Sequence, residues 1–579
     1  MNILSLYIKD VFEILSQNQR SKLLFFTFLF LIGTLLETIG VGFIIPVIEA
    51  ISNYDRFILR LKDLNLDSLY ELEQDKIILL VIGLLLLIYT IKNLFLTLLS
   101  YLQFKFLKEI KFYLGNKVLN DHLQKNYLHH LNNNSSRIIR NINDTTFATE
   151  AVKNLMIIIS ETFVVIGISI FLFIYQPYGT LISLLLMIIF LFFFQIFFHK
   201  KSKLYGEGRF HSEEKKLKLI KDIFGSIKDI KLKNRESFFS NKFSNINQVL
   251  TSFEMRQNFI SSLPRYWLEW TTILVMVILV FYFTSQKIEL DEYFVILGVF
   301  AAAAFRLMPS FSRIISSLQR MKFVYPVLEE FLKINSYEDK SNIKNFNKDN
   351  HKNLFEKKII LKDVNFIYPE NNSKILNDVN LEITKNEIIG ISGESGSGKS
   401  TLVSLITGLL KPTSGDIFLD DIVNIHKLDN INSWQKKIGY VPQNIFIHDS
   451  SIIENIAFGI DKKFIDIEKI INLLEKMQLN DLAKDIKNDK HFSLGEYGDK
   501  ISGGQKQRLG IARALYEEPE ILILDESTSA LDKLNEEKII NDLLNLKNKV
   551  TVIIISHREY NLRNCDKIFI IEKSKVIKK

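Results

Sequence analysis

The sequence is poorest in cysteine: one thiol, Cys565, stands among 579 residues. An intrachain disulfide is therefore excluded, and a reducing cytoplasmic setting suits the half of the chain that carries it. A signal-peptide pattern is missing too. Met1 to Ser21 mixes charges of both signs and leads into an apolar stretch far longer than the core of a leader, so no cleaved segment is expected. The net charge of +8, with a pI near 9.0, lacks the placement of a nucleic-acid surface. Lys200, Lys201, Lys203, Arg209, Lys215, Lys216, Lys218 and Lys221 crowd between apolar runs, the arrangement of loops on the cytoplasmic side of a membrane, and nucleic acid is not expected as a partner.

What the chain has in excess is apolar length. Hydrophobic residues make up 47% beside 24% charged, and the mean hydropathy is +0.12. Both figures coexist because the two kinds are segregated, apolar before about position 316 and charged after it. Runs at 23–51, 76–102, 152–175, 178–198, 263–284 and 293–315 each reach the ~20 residues that cross a bilayer as helix. Six spans put both ends on one side. The turn at Gln176-Pro177 is short and uncharged, whereas 103–151 and 199–262 are long and lysine-rich. These long stretches are expected in the cytoplasm, with the helices continuing well past the membrane. Between the first two runs, 54–73 alternates charge with Phe57, Ile58, Leu61, Leu64 and Leu69, which suits either an amphipathic helix on the outer face or an ordinary polar connector.

A division follows: residues 1–320 as membrane domain, 321–358 as linker, rich in Asn, Lys and Asp over its second part, and 359–579 as a soluble α/β domain of short apolar runs alternating with helical patterns. Within that last part, Ile388-Ile389-Gly390-Ile391 leads into Gly393-Glu394-Ser395-Gly396-Ser397-Gly398-Lys399-Ser400-Thr401 and then an apolar helical pattern. Strand, glycine loop and helix are the context a phosphate-binding loop needs. The loop amides and the helix N-terminus face phosphate oxygens, Lys399 neutralises the β- and γ-phosphates of ATP, and the Ser400 hydroxyl ligates Mg²⁺.

Ile521-Leu522-Ile523-Leu524-Asp525-Glu526 reads as a buried strand ending in two carboxylates, one for the metal and one to polarise the attacking water. Ser502-Gly503-Gly504-Gln505 opens a helix just upstream; Gln443 lies in Tyr440-Val441-Pro442-Gln443, and His557 follows another apolar strand.

In this order the motifs resemble the ATP-binding cassette (ABC) transporter family over essentially the whole chain. The resemblance implies a six-helix transmembrane domain fused to a C-terminal P-loop nucleotide-binding domain, the ABC exporter fold, hydrolysing ATP to drive transport. It implies that Tyr368 stacks on adenine, Gly393 to Thr401 hold the phosphates, and Gln443 touches the metal. Ser502 to Gln505 form the signature, with Ile501 in place of the usual leucine. Asp525 holds Mg²⁺, Glu526 is the base, Ser529 to Asp532 form the D-loop and His557 is the switch histidine. One P-loop and one signature per chain imply a homodimer with two composite sites. Leu494 to Gly498 resemble the exporter X-loop, and stretches near 127–134 and 224–233 are the candidate coupling helices.

Cargo has to be read from the spans, where an ionisable residue costs roughly 2.5–3.5 kcal/mol at the bilayer centre on insertion scales. Lys92, Arg265, Arg306 and Arg313 lie in or at the edges of the spans, with Glu37, Glu161 and Glu269. Arg306 and Arg313 share a helical face and are expected to line an internal cavity holding an anion; the alternative is that Arg265 pairs with Glu269 and Arg313 snorkels to the interface. Phe305 to Ser310 with Arg313, Pro264-Arg265-Tyr266 and Glu37 resemble the flippases of the bacterial inner membrane that turn over polyprenyl-diphosphate-linked oligosaccharides for protein glycosylation, although Lys92 stands where they carry arginine. The resemblance implies an anionic glycolipid cargo. Lipid A is the nearest alternative. Peptide or drug export and a non-transporting regulator are further ones: peptide exporters often carry an N-terminal cysteine protease domain, for which Met1 to Ser21 is too short.

Overall fold

The computed structural model of the chain describes residues 3–579 apart from 53, 56, 59–72, 286–289, 337–354, 370–372, 429 and 527–548. Most of the 54–73 connector and the D-loop Ser529 to Asp532 lie outside the described residues.

The first part is helical. Its described helices include α1 (Gln17–Gly42), α2 (Ile44–Ser52), α3 (Gln74–Leu123), α4 (Thr145–Tyr175), α5 (Pro177–Gly225), α6 (Glu236–Ser285) and α7 (Leu290–Ser336). Among the described residues six segments are long and apolar enough to cross a membrane. A 50-residue helix such as α3 or α6 is ~75 Å long, against a hydrocarbon core of ~30 Å. The helices therefore project well beyond the bilayer, as the lysine-rich connecting stretches required. Short helices at Tyr127–Asn132 and Ile227–Leu232 stand at the two candidate coupling positions.

Two boundaries differ from the sequence reading. The first span is not one helix: it breaks at Phe43 between α1 and α2, because Pro46 has no N–H to donate and its ring crowds the carbonyl of Gly42 four residues back. The linker does not start at 321, since α7 continues to Ser336. Its continuation is apolar on one side, and Met321, Phe323, Val324, Val327, Leu328 and Phe331 are buried in the same cluster as Phe106, Ile110 and Leu155. Charged residues between these positions hid that stripe.

Buried charge holds the projecting part together. Arg209 donates to Asp144 at 2.8 Å and lies over the Phe147 ring. Fully buried Arg140 pairs with Glu214 and lies over Phe210, while Arg137 reaches Glu330 at 2.7 Å. At Gly206 a Cβ would sit 2.2 Å from the Phe323 carbonyl, so α5 and α7 touch backbone to backbone only because that position has no side chain.

The second part contains two sheets. Antiparallel β1 (Lys358–Phe366), β2 (Leu376–Thr384), β4 (Ser414–Leu419) and β5 (Val423–Asn424) run in the order β2-β1-β4-β5. The larger sheet has the order β10-β9-β3-β8-β7-β6, with β3 (Ile388–Gly393), β6 (Ile438–Val441), β7 (Ile521–Asp525), β8 (Thr551–Ile555), β9 (Lys567–Glu572) and β10 (Lys575–Lys578). Pairs β3–β8, β3–β9, β7–β8 and β6–β7 are parallel. Strands β7 and β8 are buried at every residue, which is why they read as unbroken apolar runs and not as alternation. Adjacent parallel strands bring their C-terminal ends to one edge, and that edge carries the motifs.

Candidate functional site

Three neighbouring strands set the geometry of the cassette edge. In register, Val441 of β6 lies beside Leu524 of β7, and Asp525 beside Ile555 of β8. Residues just beyond those ends are then Gln443, Glu526 and His557, and the loop after β3 completes the edge. The Gln443 side-chain amide donates to Glu526 Oε2 at 2.9 Å, and His557 Nδ1 is 3.8 Å from Glu526 Oε1. Lys399 Nζ is 4.0 Å from that same oxygen. The Ser400 hydroxyl lies 3.4 Å from Asp525 Oδ2. Residues scattered over positions 399 to 557 thus meet around two adjacent carboxylates.

The loop is shaped as a phosphate cradle. Helix α8 (Lys399–Ile406) starts at Gly398, whose φ of +104° places it in a region that L side chains avoid, and a Cβ there would press on Ile375 and Leu376 at 3.1 Å. Lys399 is buried and donates to the carbonyls of Gly393 and Glu394 at 2.8 and 2.9 Å, so its charge sits inside the loop. The buried Ser397 hydroxyl has no hydrogen-bond partner among the described residues. An orphaned hydroxyl in a glycine loop that leads into a helix N-terminus fits a phosphate oxygen. Ser400 and Asp525 converge closely enough to share a hard cation such as Mg²⁺.

Electrostatics at the two carboxylates differ. Burial pushes the Asp525 carboxyl up, opposed by the hydrogen bond from Tyr440, and the neighbouring charge of Glu526 adds to the upward push. Tyr440 donates to Asp525 Oδ2 at 3.1 Å, and burial followed by that carboxylate pushes its phenol far up, which keeps it a donor. Sequence reasoning passed over Tyr440, although it stands three residues before Gln443 on the strand next to β7. Glu526 has a φ of +48°, a left-handed backbone unusual outside glycine that costs of order 1–3 kcal/mol and that clusters at functional sites.

Tyr368 packs edge-on against Phe366 and its hydroxyl is 3.2 Å from Thr401 Oγ1, so it stands beside the loop. Ser502 caps helix α9 (Gly503–Tyr516) through a reciprocal pair with Gln505. Among the described residues no hydrogen bond or ion pair joins 502–505 to 393–401.

The four cations of the spans divide. Arg306 on α7 makes a two-pronged contact with Glu37 on α1, Nε to Oε2 and Nη2 to Oε1, both 2.6 Å. Its Nη1 donates to Ser310 at 2.7 Å and lies 3.5 Å from Glu161 on α4. Arg313 Nε is 3.0 Å from the other Glu161 oxygen. Arg306 and Arg313 therefore do share a face, as their spacing predicted, but with two carboxylates between helices. Arg265 does not join them. It pairs with Glu269 one turn on at 3.4 Å, with 72% of its side chain exposed, the outcome the alternative reading expected. Lys92 lies over the Tyr89 ring at 3.9 Å, near the cluster and with no carboxylate ion pair among the described residues. Glu37 and Glu161 as counter-ions were visible in the sequence only as costly residues in spans; which arginine each would meet depends on helix packing.

Comparison with known proteins agrees with both halves. Residues 23–306 match the ABC transporter transmembrane region and residues 376–529 match the ABC transporter family. An export ATP-binding/permease protein of Rickettsia bellii is 35% identical over 296 residues, which is 51% of this chain and 48% of that protein. The leukotoxin translocation ATP-binding protein LktB of a Pasteurella haemolytica-like species is 38% identical over 221 residues, 38% of this chain and 30% of its own. The chain thus spans about half the length or less of these relatives. A solved bacterial Atm1-family ABC exporter with ATP bound shares the fold, with a TM-score of 0.77 at 18% identity over 97% of this chain and 94% of that one. With the transmembrane region and the cassette on one polypeptide, the chain belongs to the ABC transporter family and has the fold of an ABC exporter.

Proposed function

We propose that the chain is an ATP-driven translocase of the bacterial inner membrane, acting as a homodimer with its cassettes in the cytoplasm, and that its cargo is a polyprenyl-diphosphate-linked oligosaccharide or a related anionic glycolipid. The observation that carries the hydrolytic part is the meeting of Lys399, Ser400, Gln443, Asp525, Glu526 and His557 at one sheet edge. Ser400 and Asp525 would hold Mg²⁺, which would supply neutralisation of phosphate charge. Lys399 turns from its own loop carbonyls to the phosphates. Glu526, gripped by Gln443 and near His557, orients water and accepts its proton. One P-loop and one signature per chain, with no hydrogen bond or ion pair between them among the described residues, support a site completed by the second subunit.

The cargo reading rests on Arg306 and Arg313. Guanidinium forks match phosphate oxygens, and a pair of them inside a span serves an anionic headgroup better than an apolar drug. Export of a protein toxin, the task in the name of the LktB relative, finds no specific feature of these spans in its favour. Reconstitution of the full chain in vesicles tests the reading. ATP should move the headgroup of a polyprenyl-diphosphate glycan lipid across the bilayer, and lipid A or an amphipathic peptide should move little. Faster movement of a peptide than of either lipid would contradict it.

A further inference from the structure

In the spanning helices two guanidiniums, Arg306 and Arg313, are matched by two carboxylates, Glu37 and Glu161, with Lys92 nearby over the Tyr89 ring. Arginines already matched by carboxylates offer an anionic headgroup little, so one of the carboxylates has to give way before they act as a binding site. The two are not held alike. Glu37 is gripped by both prongs of Arg306 at 2.6 Å and its side chain is 6% exposed. Glu161 is shared, at 3.5 Å from Arg306 and 3.0 Å from Arg313, and among the described residues no single arginine holds both of its oxygens. Arg313 is half exposed, so an incoming anion reaches it first.

Resting on the anionic cargo proposed above, we infer that Glu161 is an internal counter-ion which keeps Arg306 and Arg313 neutralised in the cargo-free state and is displaced by the diphosphate of the cargo. The exchange has a mechanical consequence. Glu161 belongs to α4 and both arginines to α7, so when the headgroup takes the place of Glu161 at Arg313 and at Nη1 of Arg306, the tie between these helices at Glu161 is released, while the Arg320–Glu150 pair between the same helices and the Arg306–Glu37 pair between α7 and α1 persist. Cargo arrival is thereby read as a loosening of α4 against α7 at the level of Glu161. No bond is made or broken covalently; one anion replaces another.

The test uses the full chain in lipid nanodiscs without nucleotide, titrated with a polyprenyl diphosphate lipid and, separately, with inorganic pyrophosphate, so that recognition of the headgroup alone is distinguished from recognition of lipid plus headgroup. Glu161→Gln removes the competing charge and should tighten binding of the lipid by roughly tenfold to a hundredfold, the equivalent of one charge-assisted hydrogen bond. Glu161→Asp keeps the counter-charge but draws the carboxylate back by one methylene, and should bind between the parent and Glu161→Gln. It serves as the decisive variant where the glutamine form unfolds. Arg313→Gln combined with Glu161→Gln should cancel the gain. Equal or weaker binding by the Glu161 variants, with the parent binding normally, would overturn the counter-ion role alone. Failure of the parent to bind either probe would overturn the anionic-cargo reading and this inference with it.

Discussion

The cassette and the spanning helices treat charge in opposite ways. At the cassette edge, groups from four separate stretches meet because hydrogen-bonded register fixes where each strand ends; a residue one place beyond β7 has to lie beside the residues beyond β6 and β8. In the membrane part nothing equivalent operates. A helix fixes which face a side chain occupies, but its partner depends on how whole helices pack, so Arg306 finds carboxylates on α1 and α4 while Arg265 finds one on its own helix. The difference teaches that motif spacing is strong evidence in a parallel sheet and weak evidence for a cavity between helices.

Breaking the cassette should have the largest effect. Glu526→Gln should lower steady-state ATP hydrolysis by about 10²–10⁴, the range for a general base, while nucleotide titration shows binding retained. Near-normal turnover in purified protein would remove Glu526 from that role. The membrane cluster should break by stability first. Arg306→Ala leaves Glu37 buried and unpaired, a loss of about 3–5 kcal/mol for a buried pair, and thermal melting should fall markedly. Arg265→Ala removes only an exposed pair worth ~0–1 kcal/mol and should melt like the parent with near-parent transport. Equal melting of these two variants would erase the contrast drawn between them. The smallest effect sharpens the cassette side: Tyr440→Phe deletes one hydrogen bond to Asp525, so the Mg²⁺ concentration giving half-maximal ATPase should rise about twofold to tenfold, corresponding to ~0.5–1.5 kcal/mol. An unchanged Mg²⁺ dependence would show that Tyr440 does not position the metal carboxylate.

Legibility in the sequence followed the same line. The fold was readable because spans of ~20 apolar residues and a strand-loop-helix order leave few alternatives. Asp525, Glu526, Gln443 and Lys399 were readable because each sits at a fixed offset from an apolar strand or glycine loop. Tyr440 was not, since a tyrosine in a strand carries no mark that its hydroxyl will face the neighbouring strand's last residue. The break at Phe43 was readable in principle from Pro46, but a continuous apolar run masked it. The end of α7 was obscured by charges interleaved with a buried stripe. Ser310 below Arg306 follows from helical spacing, whereas the pairing of Glu161 with both arginines needs the approach of α4 to α7, which no local pattern encodes.

The central claim is that hydrolysis belongs to the cassette and cargo selection to the spans, and Arg313→Ala separates them most directly. This arginine is half exposed, and its loss leaves Glu161 still near Arg306, so the protein should remain folded. Basal ATPase and headgroup translocation of a polyprenyl-diphosphate glycan lipid are to be measured in the same vesicles. The account predicts ATPase close to the parent with translocation lost, and partial return of translocation in Arg313→Lys, which keeps charge but not the fork. Translocation at the parental rate by a well-folded Arg313→Ala protein would contradict it.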